Sequence, residues 1–223
     1  QNLRHFMRNK NKINNIMKSE VYNCDNMELM AKYPDNHFEL AIVDPPYGID
    51  AAKMTMGKGS GNDKGAHKKK NWDNAIPAAS YFKELCRVSK DQIIWGGNYF
   101  PLPPSRCWVL WDKKDYNSDF ASHEMAWTSF DKVVKCFQRA RSAGGDSTGK
   151  IHPTQKPVRL YEWLLANYAK EGDKILDTHL GSGSSRIACH NLKFNFVGCE
   201  LDADYFKESE ERYQEHIKQL TLF

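Results

Sequence analysis

The sequence lacks the features that define several common classes of protein. No apolar run among its 223 residues approaches the roughly 20 residues that a membrane-spanning helix needs. The first 18 residues hold five basic side chains and no acidic one, but they lack the apolar stretch of a secretory signal peptide. There is no internal repeat. We therefore expect one folded domain that neither spans a membrane nor is secreted.

Cysteines are few and widely spaced. The six of them are never closer than ten positions apart, so no CxxC pair and no Cys/His cluster with the spacing of a zinc site exists. A chain of this length also does not need a disulfide framework. These absences predict reduced cysteines, no metal site and a cytoplasmic location.

Basic charge is unevenly distributed. The net charge is only +4, yet segments 1–18, 51–75 and 132–159 carry +5, +4 and +6, and the remainder carries −11. Such asymmetry indicates a polyanionic partner, and nucleic acid is the obvious one. Lysine-rich loops that are merely solvated explain the charge equally well. We interpret residues 1–18 as a basic arm, in which residues 1–6 precede the candidate natural start Met7 and would be a remnant of cloning.

Short apolar runs alternate with helical patterns along the chain. Strands are predicted near 20–24, 38–43, 91–95, 107–111, 132–137, 174–177 and 194–199, and helices near 78–88, 157–169, 183–192 and 203–219. Most of the strands are apolar on both faces, as buried strands of a parallel sheet are. The pattern predicts an α/β fold, a doubly wound, Rossmann-like sheet of about seven strands with helices on both faces. Segments 49–75 and 139–156 do not fit the alternation, and long loops of this kind are usually functional or disordered.

A glycine-containing loop follows one of these strands, in ILDTHLGSGSSRIA at 175–188. The strand ends in Asp177 and leads to Gly181 and Gly183 before a helical pattern, and the next strand ends in Glu200. Glycines let a nucleoside cofactor approach the backbone, and an acid at the next strand end accepts hydrogen bonds from ribose hydroxyls. An ordinary tight turn between strand and helix is the competing interpretation.

Two other nucleotide-binding motifs are incomplete. The third glycine of G-x-G-x-x-G is replaced by Arg186, which disfavours NAD. The G-x-x-x-x-G-K spacing at 144–150 continues with Ile151 rather than Ser or Thr, so the magnesium ligand of an ATP-binding P-loop is absent.

A second motif, AIVDPPYG at 41–48, stands at the carboxyl end of a buried strand, where ligands of α/β sheets bind. Pro45 and Pro46 fix φ and donate no backbone hydrogen bond, so they would hold the Asp44 carboxylate and the Pro45 carbonyl as acceptors that point one way. Tyr47 adds a flat aromatic face. Such a site suits an exocyclic NH2 group on a planar ring. A simple turn of the chain at Asp-Pro-Pro is about as consistent with these residues.

Together, DPPY at 44–47 and D-x-x-x-G-S-G at 177–183 resemble the amino-methyltransferases that modify exocyclic amines of DNA bases with S-adenosylmethionine. The catalytic motif precedes the cofactor motif, as in the β group of that family, in a circularly permuted order. HPTQKP at 152–157 resembles the family's cofactor motif near the methionine end, and VYNCDNMELM at 21–30 resembles the acidic segment beside the adenosyl group. The resemblance covers most of residues 20–215.

The resemblance implies a single methyltransferase domain over residues 19–223 that binds S-adenosylmethionine and requires no metal. Its cofactor-binding residues would be Asp25, His152, Thr154, Lys156, Asp177, Gly181, Gly183 and Glu200. Thr178 and His179 stand where the family often has Pro and Phe.

The resemblance also implies direct methyl transfer to a base nitrogen, with Asp44, Pro45, Pro46 and Tyr47 as the catalytic residues. Hydrogen bonds to Asp44 and the Pro45 carbonyl would localise the lone pair of the amine, which is mainly positioning and electrostatics. The target base must be flipped out of the duplex, with Tyr47 stacking on it. Because there is little room for a recognition domain, the basic loops would contact DNA. The candidates for phosphate contacts are Lys68, Lys69, Lys70, Arg139 and Arg141.

Asp-Pro-Pro-Tyr is more usual for adenine N6 in this family, and Ser-Pro-Pro-Tyr for cytosine N4. We therefore predict adenine-N6 methylation of DNA, with cytosine N4 as the nearest alternative. A non-catalytic subunit that binds DNA or cofactor is the alternative from another class, and a nucleotide-binding oxidoreductase is a third. The small size of the chain resembles that of phage or orphan methyltransferases. A homodimer and an accompanying restriction enzyme are left open.

Overall fold

The structure, a computed structural model, describes residues 17–49, 73–116, 121–140, 151–152 and 154–220. In this part of the chain the elements are β1 (Ser19–Tyr22), α1 (Asn26–Met30), β2 (Phe38–Val43), α2 (Ala79–Val88), β3 (Ser89–Trp95), β4 (Trp108–Asp112), β5 (His123–Thr128), β6 (Lys135–Gln138), α3 (Val158–Tyr168), β7 (Lys174–Asp177), α4 (Ser184–Leu192), β8 (Asn195–Cys199) and α5 (Ala203–Leu220). A short 3₁₀ turn, Gly97–Tyr99, follows β3. Within the described ranges, no helix has the length and apolar character needed to cross a membrane.

The strands form one mixed sheet in the order β1-β8-β7-β2-β3-β5-β4-β6. The run from β1 to β3 is parallel throughout, whereas β5 lies antiparallel between β3 and β4. This confirms the predicted α/β, Rossmann-like class, but the sheet formed by the described residues has eight strands rather than about seven. The strand that was not predicted is β5, because its first two residues, His123 and Glu124, are polar and leave only a short apolar run, Met125–Trp127.

Alternating side chains of β2 divide the core between the two faces of the sheet. Leu40 and Ile42 pack in a cluster with α3, α4 and α5, whereas Ala41 and Val43 pack in a second cluster with α1 and α2. Successive side chains of a strand point to opposite faces, and burying each large aliphatic side chain stabilises the fold by about 1.5–3 kcal/mol. Helices on both faces are therefore confirmed.

The predicted helices are confirmed with small shifts at their ends. Pro157 occupies the N-cap position of α3 rather than its first turn, and Gly183, with φ of +72°, is the N-cap of α4. The short helix α1 was not predicted. It begins after Asp25, whose side chain caps it by accepting a hydrogen bond from the backbone N–H of Met27.

The centre of the sheet contains a topological switch. Strands β7 and β2 are paired neighbours, but the chain continues from β7 to β8 on one side and from β2 to β3 on the other. Loops that leave the carboxyl ends of such strands diverge and open a crevice, which is where α/β sheets bind ligands. Asp177 ends β7 and Asp44 directly follows β2, so the two predicted motifs meet at this crevice.

Candidate active site

A cavity of about 370 Å³ lies at the crevice between β2 and β7, a volume within the usual range of small-molecule sites. Its boundary is formed by the loops after β2 and β7, the start of α1 and the segment that precedes α3. The predicted site residues that line it are Asp25, Asp44, Pro46, His152, Thr154, Lys156, Gly181 and Glu200. Pro45, Tyr47, Asp177 and Gly183 are not among its lining residues.

The Asp44 carboxylate is fixed by hydrogen bonds to both of its oxygens. The Tyr47 hydroxyl donates to Oδ1 over 2.7 Å, and the Lys156 ammonium donates to Oδ2 over 2.5 Å. Burial raises the pKa of Tyr47 well above its ordinary value, and the neighbouring Asp44 charge adds to the effect. The phenol therefore stays protonated and remains a donor to the carboxylate.

The loop that carries Tyr47 is held by a residue that the sequence did not indicate. Asp73 is almost fully buried, and its Oδ1 accepts hydrogen bonds from the backbone N–H groups of Tyr47 (2.7 Å) and Gly48 (2.9 Å). A buried N–H group without an acceptor is destabilising. Asp73 thus stabilises the conformation of the loop after the Asp-Pro-Pro turn from 26 positions further along the chain.

The Tyr47 ring is enclosed by residues that follow β3. Gly96 has φ of +69°, and a Cβ built there would lie only 2.1 Å from Cε1 of Tyr47. The ring of Tyr99 stacks on the Tyr47 ring at a centroid distance of 5.0 Å and an angle of 11°. Tyr99 is 44% exposed. The segment after β3 thus lies against the predicted catalytic motif and extends its aromatic surface toward solvent.

Lys156 is the centre of a buried charge network. Its ammonium contacts Asp44 and also lies 3.1 Å from Glu124 Oε2, and Glu124 Oε1 lies 2.7 Å from Lys113 Nζ. Burial alone would lower the pKa of Lys156, but Asp44 and Glu124 outweigh it and the pKa is raised. The pKa of Glu124 is lowered, because the two lysines outweigh the effect of its burial. Lys156 lines the cavity, but its ammonium group is paired with Asp44 and Glu124.

Two carboxylates lie on the other side of the cavity. Glu200 accepts the backbone N–H of Gly181 at Oε2 (2.8 Å) and that of Asp202 at Oε1 (2.9 Å). Asp25 Oδ1 accepts the N–H of Met27 (2.8 Å). At Gly181, with φ of +51°, the atom closest to a hypothetical Cβ would be 3.9 Å away. These residues combine acceptor oxygens with backbone that a ligand can approach closely.

Asp177 and Gly183 support the glycine loop but do not line the cavity. Asp177 is 2% exposed and accepts hydrogen bonds from Ser185 Oγ (2.5 Å) and the backbone N–H of His179 (3.0 Å). Burial raises its pKa to about 7. A Cβ at Gly183 would lie 3.4 Å from Cβ of Ser209 on α5. Both residues therefore connect the loop to the core.

The two residues that depart from the family pattern both line the cavity. The Tyr81 hydroxyl is hydrogen-bonded to Thr178 Oγ1 over 2.7 Å. His179 lies 3.2 Å from the Asn26 side-chain amide, and burial lowers its pKa to about 4. His179 is thus a neutral polar group at neutral pH, in a place where the family often has an apolar ring.

Few of the predicted DNA contacts fall in the described part of the chain. Lys68, Lys69, Lys70 and Arg141 lie outside the described residues. Arg139 directly follows β6 and is half-buried. Its backbone N–H donates to the Asp112 carbonyl, and its own carbonyl accepts from the Trp111 indole.

Comparison with known proteins finds similarity along most of the chain. A family model described as DNA methylase matches residues 103–211, which include HPTQKP and the glycine loop. The type II methyltransferase M2.MboI of Moraxella bovis is 24% identical over 245 residues, which cover 87% of this chain and 87% of that protein.

Solved structures share the fold at low sequence identity. M1.HpyAVI in complex with S-adenosylmethionine matches with a TM-score of 0.58 at 18% identity, over 86% of this chain and 98% of that chain. The cytosine-N4-specific PvuII DNA methyltransferase matches with a TM-score of 0.57 at 14% identity, over 91% of this chain and 92% of that chain. The family match, the relative and the fold agree with the motifs, and together they support an S-adenosylmethionine-dependent DNA amino-methyltransferase of the β group.

Proposed function

We propose that this protein methylates N6 of adenine in DNA. The arrangement at Asp44, whose carboxylate lines the cavity and is fixed by Tyr47 and Lys156, carries the transfer to an exocyclic amine. The choice of adenine rests on the resemblance of Asp-Pro-Pro-Tyr to the adenine enzymes of the family. The lone pair of an exocyclic base amine is delocalised into the ring, so the amine is a poor nucleophile. A fixed acceptor beside the cofactor cavity is the feature that such a nucleophile requires.

The residues around the cavity fit S-adenosylmethionine. Each oxygen of an ionised carboxylate has two lone pairs, so Glu200, whose oxygens accept backbone N–H groups, retains capacity for ribose hydroxyls. Asp25, Gly181 and Glu200 would hold the adenosyl part, and His152 and Thr154 would lie near the methionine end. When bound, the cofactor supplies a methyl group on a sulfonium sulfur, which makes that methyl group electrophilic.

The catalytic loop orients the target amine. Asp44 and the Pro45 carbonyl would each accept one N–H of the amine, which draws its lone pair out of the ring and directs it toward the cavity. Tyr47 and Lys156 hold the carboxylate in this orientation before the base arrives. Little reorganisation is then needed during the reaction, and most of the rate acceleration comes from positioning and electrostatics.

The target adenine would leave the duplex to reach this loop. A base inside a duplex cannot present its amine to a cavity in an enzyme, so it is flipped out and held between apolar or aromatic side chains. The stacked rings of Tyr47 and Tyr99, of which Tyr99 is partly exposed, provide an aromatic surface for it. Lys68, Lys69, Lys70, Arg139 and Arg141 remain our candidates for contacts to the DNA phosphates.

Nucleoside mass spectrometry tests the proposal directly. Unmethylated DNA is incubated with the protein and S-adenosylmethionine, and N6-methyladenine is the expected product. Asp44→Ala removes the acceptor and should lower the rate by about 100-fold or more. The matched control is Asp131→Asn, in an exposed ion pair with Arg106, which should keep the activity of the wild type.

Three other outcomes would each change the conclusion. N4-methylcytosine as the product would keep the role of Asp44 and refute the choice of adenine. Full activity of Asp44→Ala would refute the catalytic role of this carboxylate. If neither base is methylated although the protein binds S-adenosylhomocysteine, the protein would be a non-catalytic subunit, or DNA would not be its substrate.

A further inference from the structure

Two charged residues that the sequence did not indicate, Glu124 and Lys113, are connected to the catalytic loop through Lys156. Glu124 on β5 bridges Lys156 (3.1 Å) and Lys113 (2.7 Å). The side chains of Lys156 and Lys113 are only 2% and 6% exposed. Buried lysines are rare unless they are paired, and Glu124 is a carboxylate partner of both.

The antiparallel direction of β5 explains how Glu124 reaches the site. Trp95, the last residue of β3, pairs with Ala126 of β5, so the residues of β5 that precede Ala126 extend beyond the carboxyl end of β3. Glu124 is therefore delivered to the edge of the sheet at which the Asp44 loop also lies. On the same side, the Trp95 ring lies 5.1 Å from Lys156 Nζ, which restricts the ammonium further.

All three N–H donors of Lys156 have an acceptor within the protein. An ammonium group has three donors and no acceptor. Its nitrogen lies 2.5 Å from Asp44 Oδ2, 3.1 Å from Glu124 Oε2 and 3.3 Å from the Tyr47 hydroxyl oxygen. With every donor engaged, Lys156 serves the catalytic loop rather than the cofactor.

We propose that Glu124 is a positioning residue for methyl transfer, which holds Lys156 and shares its charge so that Asp44 remains an effective acceptor for the target amine. This inference rests on the proposed function of Asp44. Without Glu124, the Lys156 charge would be directed to Asp44 alone and would compete with the amine for the carboxylate. Lys156 would also be held by one carboxylate instead of two, and Lys113 would lose its ion pair with Glu124.

Glu124→Gln tests this role, because it removes the charge and keeps the shape. We expect kcat to fall by about 10- to 100-fold, because displacing a group that positions the reactants lowers the rate by such factors. The KM for DNA and the affinity for S-adenosylhomocysteine should change by less than about threefold, which is below half of the 1.4 kcal/mol that a tenfold change represents. Glu124→Asp, which retains the charge, should recover part of the loss. The matched control is Glu39→Gln, which removes a carboxylate of similar exposure from an ion pair with Lys90.

A second readout requires no turnover. The 15N-detected ammonium resonance of buried Lys156, assigned by its loss in Lys156→Met, should shift in Glu124→Gln and remain in place in Glu39→Gln. An unchanged resonance, or a kcat within threefold of the wild type, would overturn the proposal. So would a loss of activity that parallels a loss of folded protein in thermal unfolding. If the wild-type protein does not form N6-methyladenine, the proposed function is refuted. The pairing of Lys156 with Glu124 is still tested in that case, because the resonance does not depend on turnover.

Discussion

Replacing Gly96 by alanine tests whether the position of the Tyr47 ring limits the reaction. Gly96 has φ of +69°, and an added Cβ would lie 2.1, 2.5 and 2.6 Å from three carbons of the Tyr47 ring. Ordinary carbon–carbon contacts are about 3.5–4.0 Å, so the ring would have to move by roughly 1 Å or more. The Tyr47 hydroxyl donates to Asp44 over 2.7 Å, and a displacement of this size breaks that hydrogen bond.

The expected effects on stability and on rate differ in size. An alanine in the left-handed region is strained by about 1–2 kcal/mol, and the contact with Tyr47 adds to this value. A misplacement of about 1 Å near the reacting groups lowers the rate by about 100-fold. Because Gly96 does not line the cofactor cavity, the affinity for S-adenosylhomocysteine should stay within about threefold of the wild type, less than 1 kcal/mol.

Gly172→Ala is the matched control. Gly172 also has a positive φ, of +92°, but a Cβ there would meet no atom of the described residues within 4 Å. Backbone strain alone should lower its free energy of unfolding, by about 1–2 kcal/mol in a urea titration, and its kcat should stay that of the wild type. Steady-state kinetics measure kcat for both variants, and calorimetry measures their affinity for S-adenosylhomocysteine. The reasoning is refuted if Gly96→Ala keeps kcat within threefold of the wild type, or if Gly172→Ala loses as much activity.

Two further substitutions test the supports of the site. Asp73→Ala removes the acceptor of two backbone N–H groups and should lower the free energy of unfolding by about 1–3 kcal/mol for each group that stays buried. Asp73→Asn retains a side-chain oxygen and should lose less stability in the same urea titration. Equal losses in the two variants would contradict the role of Oδ1. The buried Asp177 has a pKa of about 7, above the value of about 3.9 in an unfolded chain, so the folded state holds the extra proton between these values. The contribution of Asp177 to stability is therefore greatest at acidic pH and falls as the pH rises from about 4 to about 7, by at most roughly 4 kcal/mol. Asp177→Asn should flatten the pH dependence of unfolding between pH 5 and pH 8, and an unchanged slope would show that Asp177 does not titrate in this range.

The sequence predicted the parts of the site that depend on local patterns. Asp44 and Asp177 end apolar strands, and the carboxyl ends of parallel strands lie at one edge of a sheet, so their proximity followed from the fold class. The cavity places Asp25, Gly181 and Glu200 together for the same reason. Helix ends were predicted closely because apolar periodicity and the Pro and Gly residues beside them act over a few residues.

Residues that act across long separations in sequence could not be predicted in this way. Asp73 holds the Tyr47 loop from a segment with no apolar period, and only the fold brings the two together. Glu124 lies on β5, where the polar pair His123 and Glu124 conceals the strand pattern. Even with β5 identified, its antiparallel direction would be needed to place Glu124 at the site, because a parallel strand would bring its other end to that edge.

The permuted order of motifs follows from the same geometry. Asp25 and Glu200 are separated by most of the chain, yet β1 and β8, which precede them, are paired neighbours in the sheet. Each motif is placed by the strand end from which it emerges, and the register of β1, β8, β7 and β2 determines the distances between them. Changing the order in which the chain visits these strands leaves their ends where they were. The order of motifs is therefore a property of the connections between strands, whereas the chemistry of the site is a property of the sheet.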